Sequence, residues 1–276
     1  MRFRTLALTF VILTSPSLKA SEHLSFVTRD GITVAAKLSQ KNPMLRSAGI
    51  IVVSPGYAQH KDTPVMRKFA RDLSLVDDVL SFDYRGTNES AGRFWFGAHE
   101  YQDLEPILVW AKKNYAKVTL LGFSLGAYSA LRGAYEYPGN IDELLLVSCP
   151  TRVDEIVWGG GVVLNVWDLL THWNLLTRQS PADQFFRWGY PFLAKPSTAD
   201  LSPDLKLPLH FLVGGKDRLI SEQMTRKVYD AIPNATQKSW TEFPDGSHAE
   251  AMIEDQGPEL LKWVNEKRSR YAIPHP

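Results

Sequence analysis

The strongest constraint on how this chain folds is a set of short, almost unbroken apolar runs separated by polar or glycine-containing stretches. They are Gly49-Ile50-Ile51-Val52-Val53, Val79-Leu80-Ser81-Phe82, Val118-Thr119-Leu120-Leu121, Leu144 to Val147, and Leu209-His210-Phe211-Leu212-Val213. A strand with one wet face alternates polar and apolar side chains. A strand that is apolar at nearly every position must be covered on both faces, as in a parallel sheet sandwiched between helices. The intervening segments fit that scheme. Leu104, Ile107, Leu108 and Ala111 fall on one helical stripe, and a last helix is expected to open at Gly257-Pro258 with Leu260, Trp263 and Val264 facing inward. Ahead of the runs, Leu24 to Val27 and Ile32 to Leu38 flank Arg29-Asp30-Gly31, which predicts an antiparallel hairpin. The expected fold is α/β: a doubly wound, mostly parallel sheet with an N-terminal antiparallel hairpin.

Composition narrows the functional classes. A chain of 276 residues with 44% hydrophobic and 22% charged residues can bury one large core, which excludes a disordered or fibrous protein. The net charge of +1 gives no basic field for nucleic acid, so no such partner is expected. Lys267, Arg268 and Arg270 form a small cluster that reads as a solvated helix terminus. Cys149 is the single cysteine, so neither an intrachain disulfide nor a cysteine zinc site can form, and its position after an apolar run predicts a buried thiol. No His, Asp or Glu group has metal-ligand spacing and no glycine-rich loop cradles phosphate; no metal or cofactor is expected.

Two segments stand apart. Arg2 and Arg4 precede the apolar run Leu6 to Leu13 and the breaker Thr14-Ser15-Pro16-Ser17, the layout of a secretory signal. Residues 1–20 are therefore expected to be removed after Ala20, leaving a domain over 21–276 that is exported, periplasmic or secreted. The run is far shorter than the ~20 residues of a permanent membrane span, so none is expected after processing. The second segment, about 151–202, shows no strand pattern. It holds four tryptophans, Trp158, Trp167, Trp173 and Trp188, together with Phe185, Phe186, Tyr190 and Phe192.

The chemistry centres on Gly122-Phe123-Ser124-Leu125-Gly126, directly after a buried strand and before the helical run Ala127 to Tyr137. A bare G-x-S-x-G arises by chance in roughly one chain in ten of this length. Its context adds the weight: a sharp strand-to-helix turn exposes a serine hydroxyl at a helix N-terminus, where developing negative charge is favoured. A serine needs a positioned base, and the base needs an orienting carboxylate. His248, in Pro244-Asp245-Gly246-Ser247-His248, is the best placed of seven histidines; Asp217, in Gly214-Gly215-Lys216-Asp217-Arg218, follows a strand. Other assignments stay open from the residues alone. Ser124 and Asp217 could each cap a helix, His248 could bond Asp245, and Asp204 is another acid, although it precedes its strand. His60 reads as a surface histidine and His99 as structural.

On these motifs the chain resembles the α/β-hydrolase superfamily over residues 24–267, with the order Ser124, Asp217, His248 matching its serine, acid, histidine triad. Ser54-Pro55-Gly56-Tyr57 is similar to the family's oxyanion loop, with Pro55 in place of the usual histidine. The resemblance implies that the N–H groups of Tyr57 and Leu125 bind the oxyanion. Asp83-Tyr84-Arg85-Gly86-Thr87-Asn88-Glu89-Ser90 is similar to the turn D-x-R-G-x-G-x-S, with Asn88 in place of glycine, a residue that tolerates positive φ. It further implies a serine hydrolase acting on a small-molecule acyl substrate, an ester or thioester. Residues 151–202 would be its inserted cap, with Trp158, Trp167, Trp173, Phe185, Phe186 and Trp188 lining an apolar acyl pocket. A peptidase or acyltransferase on the same fold, and a binding protein that has kept the fold without catalysis, remain as alternatives.

Overall fold

The computed structural model of the chain describes residues 21–42, 44–156, 187, 189 and 193–269. Its eight strands are β1 (Ser21–Val27), β2 (Thr33–Ser39), β3 (Gly49–Ser54), β4 (Asp78–Phe82), β5 (Lys117–Phe123), β6 (Glu143–Val147), β7 (Leu209–Gly214) and β8 (Lys238–Phe243). They form one sheet in the order β1-β2-β4-β3-β5-β6-β7-β8. β1 and β2 make the expected hairpin, β2 pairs antiparallel with β4, and every later pairing is parallel.

Among the described residues the helices are α1 (Pro64–Leu73), α2 (Tyr101–Asn114), α3 (Leu125–Glu136), the single turns α4 (Val153–Ile156) and α5 (Thr198–Leu201), α6 (Glu222–Ala231) and α7 (Ala251–Ser269). The apolar runs are strands because each supplies two cores at once. Ile50, Val52, Val118, Leu120, Leu144 and Leu146 join one cluster with Leu104, Ile107 and Leu108 of α2, Leu131 of α3 and Val228 of α6. Their neighbours Ile51, Val53, Leu121, Phe123, Leu145 and Val147 join a second cluster with Met66 and Phe69 of α1 and Leu260, Trp263 and Val264 of α7. Each such side chain contributes roughly 1.5–3 kcal/mol by leaving water.

The last helix differs from expectation in one respect. Gln256 leaves helical geometry at φ −133°, so a short helical segment from Ala251 precedes the one that opens at Gly257-Pro258. The basic cluster is also not a solvated terminus. Lys267 and Arg268 are buried, and Arg268 pairs with Asp77 and donates to the Thr119 hydroxyl at 3.1 Å. The reason lies beneath it. Asp77 and the buried Thr119 and Glu143 line the amino-terminal rim, and a cation there satisfies groups that would otherwise be stranded.

β3 and β5 are neighbours in the sheet but lead to helices on opposite faces, α1 and α3. Their carboxyl ends therefore open a crevice at the point where the winding reverses, where ligands collect in open α/β sheets.

Candidate active site

Ser124 sits at that crevice. Its backbone is held at φ 50°, ψ −116°, and its side chain makes no capping hydrogen bond to α3, which disposes of the helix-cap reading. The turn closes this tightly because the flanking glycines admit backbone where a side chain would be. A Cβ on Gly122 would lie 2.6 Å from the Gly126 carbonyl oxygen.

The His248 ring spans two partners. Its Nε2 lies 2.9 Å from Ser124 Oγ, and its Nδ1 lies 2.9 Å and 3.0 Å from the two Asp217 oxygens. Asp245 instead pairs with Lys216 at 2.7 Å in solvent, and Asp204 is exposed in a 3-10 turn ahead of the amino end of β7, away from the carboxyl ends where Ser124 sits. The structure thus brings together Ser124, His248 and Asp217 and leaves the competing acids outside. The Asp217 side chain is only 1% exposed, against 23% for His248. Burial by itself would raise the Asp217 pKa, but hydrogen bonding and charge from His248, the Ile220 N–H and the Ser148 hydroxyl outweigh it and hold it below the usual value. Asp217 also accepts from Leu219 and Ile220 N–H at 2.9 Å, so its local turn role and its role toward His248 coexist. A hydroxyl, an imidazole and a fixed carboxylate in this order can turn the hydroxyl into a nucleophile.

The loop that leads to Tyr57 meets the turn that carries Leu125 at Gly126. A Cβ there would lie 2.5 Å from the Pro55 carbonyl oxygen and closer still to that of Ser54. Ser54 Oγ donates to the Gly126 carbonyl at 2.9 Å, tying the two loops together. Leu125 opens α3, and N–H groups in a first helical turn have no partner inside the helix. The Tyr57 ring, 42% exposed, stacks on Phe96 at 5.9 Å beside Phe94.

Asn88 adopts φ 40° and Gly86 φ 74°, so the turn after β4 keeps its left-handed positions. Its Asp83 carboxylate receives the buried Lys61 ammonium at 2.9 Å. The same ammonium contacts Asp62 and Glu89, each at 2.6 Å, filling the centre of three carboxylates. His60, in the loop between β3 and α1, is buried beside Lys61 and is not a surface residue, because that loop packs against the Asp83 turn; its Nδ1 accepts from Asp62 N–H at 3.3 Å. His99 packs edge-on against Trp95, in keeping with a structural role.

Two residues escaped the sequence reading. Ser148, directly after β6 at φ 51°, accepts from Ala249 N–H at 3.2 Å and bonds Asp217. Glu250, two residues past His248, is buried and accepts from Gly56 N–H at 2.5 Å. Burial raises the Glu250 pKa above its ordinary value, while Gly56 N–H and His248 act the other way. Neither sits in a motif or beside a turn glycine that would have marked it in the sequence. Non-glycine residues at positive φ gather here: Ala58, Asn88, Phe96, Ser124, Ser148 and Ala249 all lie in loops beyond carboxyl ends of strands.

The stretch 151–202 departs and returns at one point, since Thr198 N–H donates to the Thr151 carbonyl at 2.9 Å. Arg187 and Gly189 exchange backbone hydrogen bonds with Phe94. The expected pocket residues Trp158, Trp167, Trp173, Phe185, Phe186 and Trp188, like the expected signal over 1–20, lie outside the described residues. No helix among the described residues is long and apolar enough to cross a membrane.

Sheet order, helical layers and a serine at the strand-to-helix turn define the α/β-hydrolase class. The chain belongs to the alpha/beta hydrolase family, whose model matches residues 51–262. An esterase of Pyrococcus furiosus superposes with a TM-score of 0.71 at 20% identity, over 91% of this chain and 92% of that one. A thermophilic esterase from Thermogutta terrifontis gives 0.66 at 18% identity, over 90% and 98%. A serine hydrolase without lid from Xanthomonas campestris gives 0.62 at 18% identity, over 95% and 99%. At such identities these establish a common fold. No curated protein sequence matches the chain.

Proposed function

We propose that the protein is a serine hydrolase that cleaves a carboxylic ester or thioester through an acyl-Ser124 intermediate. The observation that carries this reading is the hydrogen-bonded chain from Ser124 through His248 to Asp217, with the serine on a left-handed turn. His248 takes the Ser124 proton as Oγ attacks the carbonyl carbon, and Asp217, kept ionised by its donors, holds the imidazolium that forms. The N–H groups of Tyr57 and Leu125 receive the oxyanion; one such donor is worth about 3 kcal/mol. His248 then protonates the departing alcohol or thiol, and water removes the acyl group by the reverse sequence. The exposed Tyr57 ring offers an acyl chain apolar surface beside the oxyanion loop. That the matched Pyrococcus and Thermogutta proteins are esterases agrees with ester substrates.

Labelling with a fluorophosphonate probe tests the mechanism: wild type takes up the label and Ser124→Ala does not. An unlabelled wild type points to the non-catalytic alternative. A panel of p-nitrophenyl esters, acyl thioesters and aminoacyl amides tests the substrate class. Preference for the amides marks a peptidase, and transfer to added alcohol in place of water marks an acyltransferase. Export is proposed on the signal-like residues 1–20, and an exported form that begins at Ser21 would support it.

A further inference from the structure

We propose that Glu250 is a positioning residue of the reaction, which clamps the oxyanion loop by accepting the Gly56 N–H and so sets where the Tyr57 N–H points. The proposal rests on the acyl-serine reading above.

The contact is closer than a single hydrogen bond requires. A Cβ on residue 56 would lie 2.6 Å and 2.8 Å from the two Glu250 oxygens, so the carboxyl fills the space a side chain there would take and only glycine leaves room for it. The Gly56 N–H lies in the Pro55–Gly56 peptide plane, so Glu250 fixes that plane and leaves the next one, which carries the Tyr57 N–H, only the two torsions of Gly56 to turn about. The other end of the clamp is equally fixed. Ala249, at φ 43° and itself bonded to Ser148, separates His248 from Glu250. One short segment therefore holds the general base and the oxyanion loop in a common frame.

A charged carboxylate beside a developing oxyanion would oppose the reaction. Burial shifts Glu250 toward its protonated form, which weakens that objection, and a carboxyl accepts the Gly56 N–H in either form. A glutamate placed here only for solubility would face water, whereas this one is 8% exposed.

The test compares Glu250→Met, which keeps length but cannot accept, with Glu250→Gln, which restores an acceptor. Both are checked for a cooperative thermal melt and assayed on a p-nitrophenyl ester and a trifluoromethyl ketone, which binds serine as a tetrahedral oxyanion. For Glu250→Met we expect kcat to fall about 10- to 100-fold, the range for a misplaced oxyanion donor. KM should stay within about threefold, and ketone affinity should weaken in step with kcat/KM. Glu250→Gln should recover most of the loss. Gly56→Ala breaks the same contact from the loop side and serves alone if Glu250→Met does not fold; where both single variants fold, the double variant should cost little more than either. Unchanged kcat in Glu250→Met, unchanged ketone affinity despite lost kcat, or equal losses in the Met and Gln variants overturns the proposal. A wild type that neither labels nor cleaves any ester overturns the acyl-serine reading, and this proposal with it.

Discussion

Replacing Gly126 with alanine is the most searching perturbation of the site, because it adds one methyl group at the junction of both proposed oxyanion donors. The new Cβ would stand 2.5 Å from the Pro55 carbonyl oxygen and 2.7 Å from the Ser54 carbonyl carbon. Unstrained contact between such atoms is near 3.5 Å, so backbone must retreat by about 1 Å. β3 cannot absorb this, since it is buried along its length between β4 and β5. The displacement falls on Pro55-Gly56-Tyr57. A shift of about 1 Å in a positioning group costs on the order of 10²-fold in rate, and overpacking costs about 1–3 kcal/mol of stability. Gly126→Ala should therefore lower kcat/KM for p-nitrophenyl acetate about 100-fold while lowering Tm by roughly 3–10 °C. Gly139→Ala is the control: φ there is 87° but nothing lies within 4 Å of the added carbon. It should lose about 1 kcal/mol and no activity. If Gly126→Ala keeps kcat/KM within about twofold of wild type, the inferred coupling between this turn and the oxyanion loop is wrong.

Four further outcomes follow from the same geometry. Asp217→Asn should lower kcat on the order of 10⁴-fold by favouring the wrong His248 tautomer, measured by single-turnover acylation. Because the folded-state pKa of Asp217 is depressed, its ionised form stabilises the protein above the unfolded value near 3.9 and the gain is lost as pH falls through the lower folded value. Urea melts below about pH 4 should thus show a shallower acid loss in Asp217→Asn than in wild type. Lys61→Met should cost about 3–5 kcal/mol in thermal or urea melts, since it strands the buried Asp83 carboxylate; a loss under about 1 kcal/mol would refute the role given to that ammonium. The Cys149 thiol, fully buried and raised in pKa by burial, should ignore a disulfide exchange reagent in native protein and react once denatured.

The sheet was legible in the sequence because two-sided burial leaves a one-dimensional trace, the unbroken apolar run. Ser124, Asp217 and His248 were legible because each follows a strand in a loop of recognisable composition. Ser148 and Glu250 left no comparable trace. Their importance comes from positive-φ turns at Ser148 and Ala249, and neither turn carries the glycine that usually announces one. Arg268 was read as part of a solvated helix terminus, and Lys61 drew no reading at all, for a related reason. Whether a cation is solvated or buried depends on carboxylates brought near it by the fold, such as Asp83 and Asp77, which adjacency in the chain does not reveal.

The concentration of left-handed residues around the crevice has a bearing on how the molecule ages under heat. Outside glycine and asparagine this backbone state costs on the order of 1–2 kcal/mol per residue, and it persists only while the surrounding scaffold imposes it. Ala58, Phe96, Ser124, Ser148 and Ala249 therefore behave as a ring of compressed springs set into a rigid plate. On warming, the ring is expected to relax before the plate softens, so any ester cleavage by the protein should be lost below the temperature of the calorimetric melt.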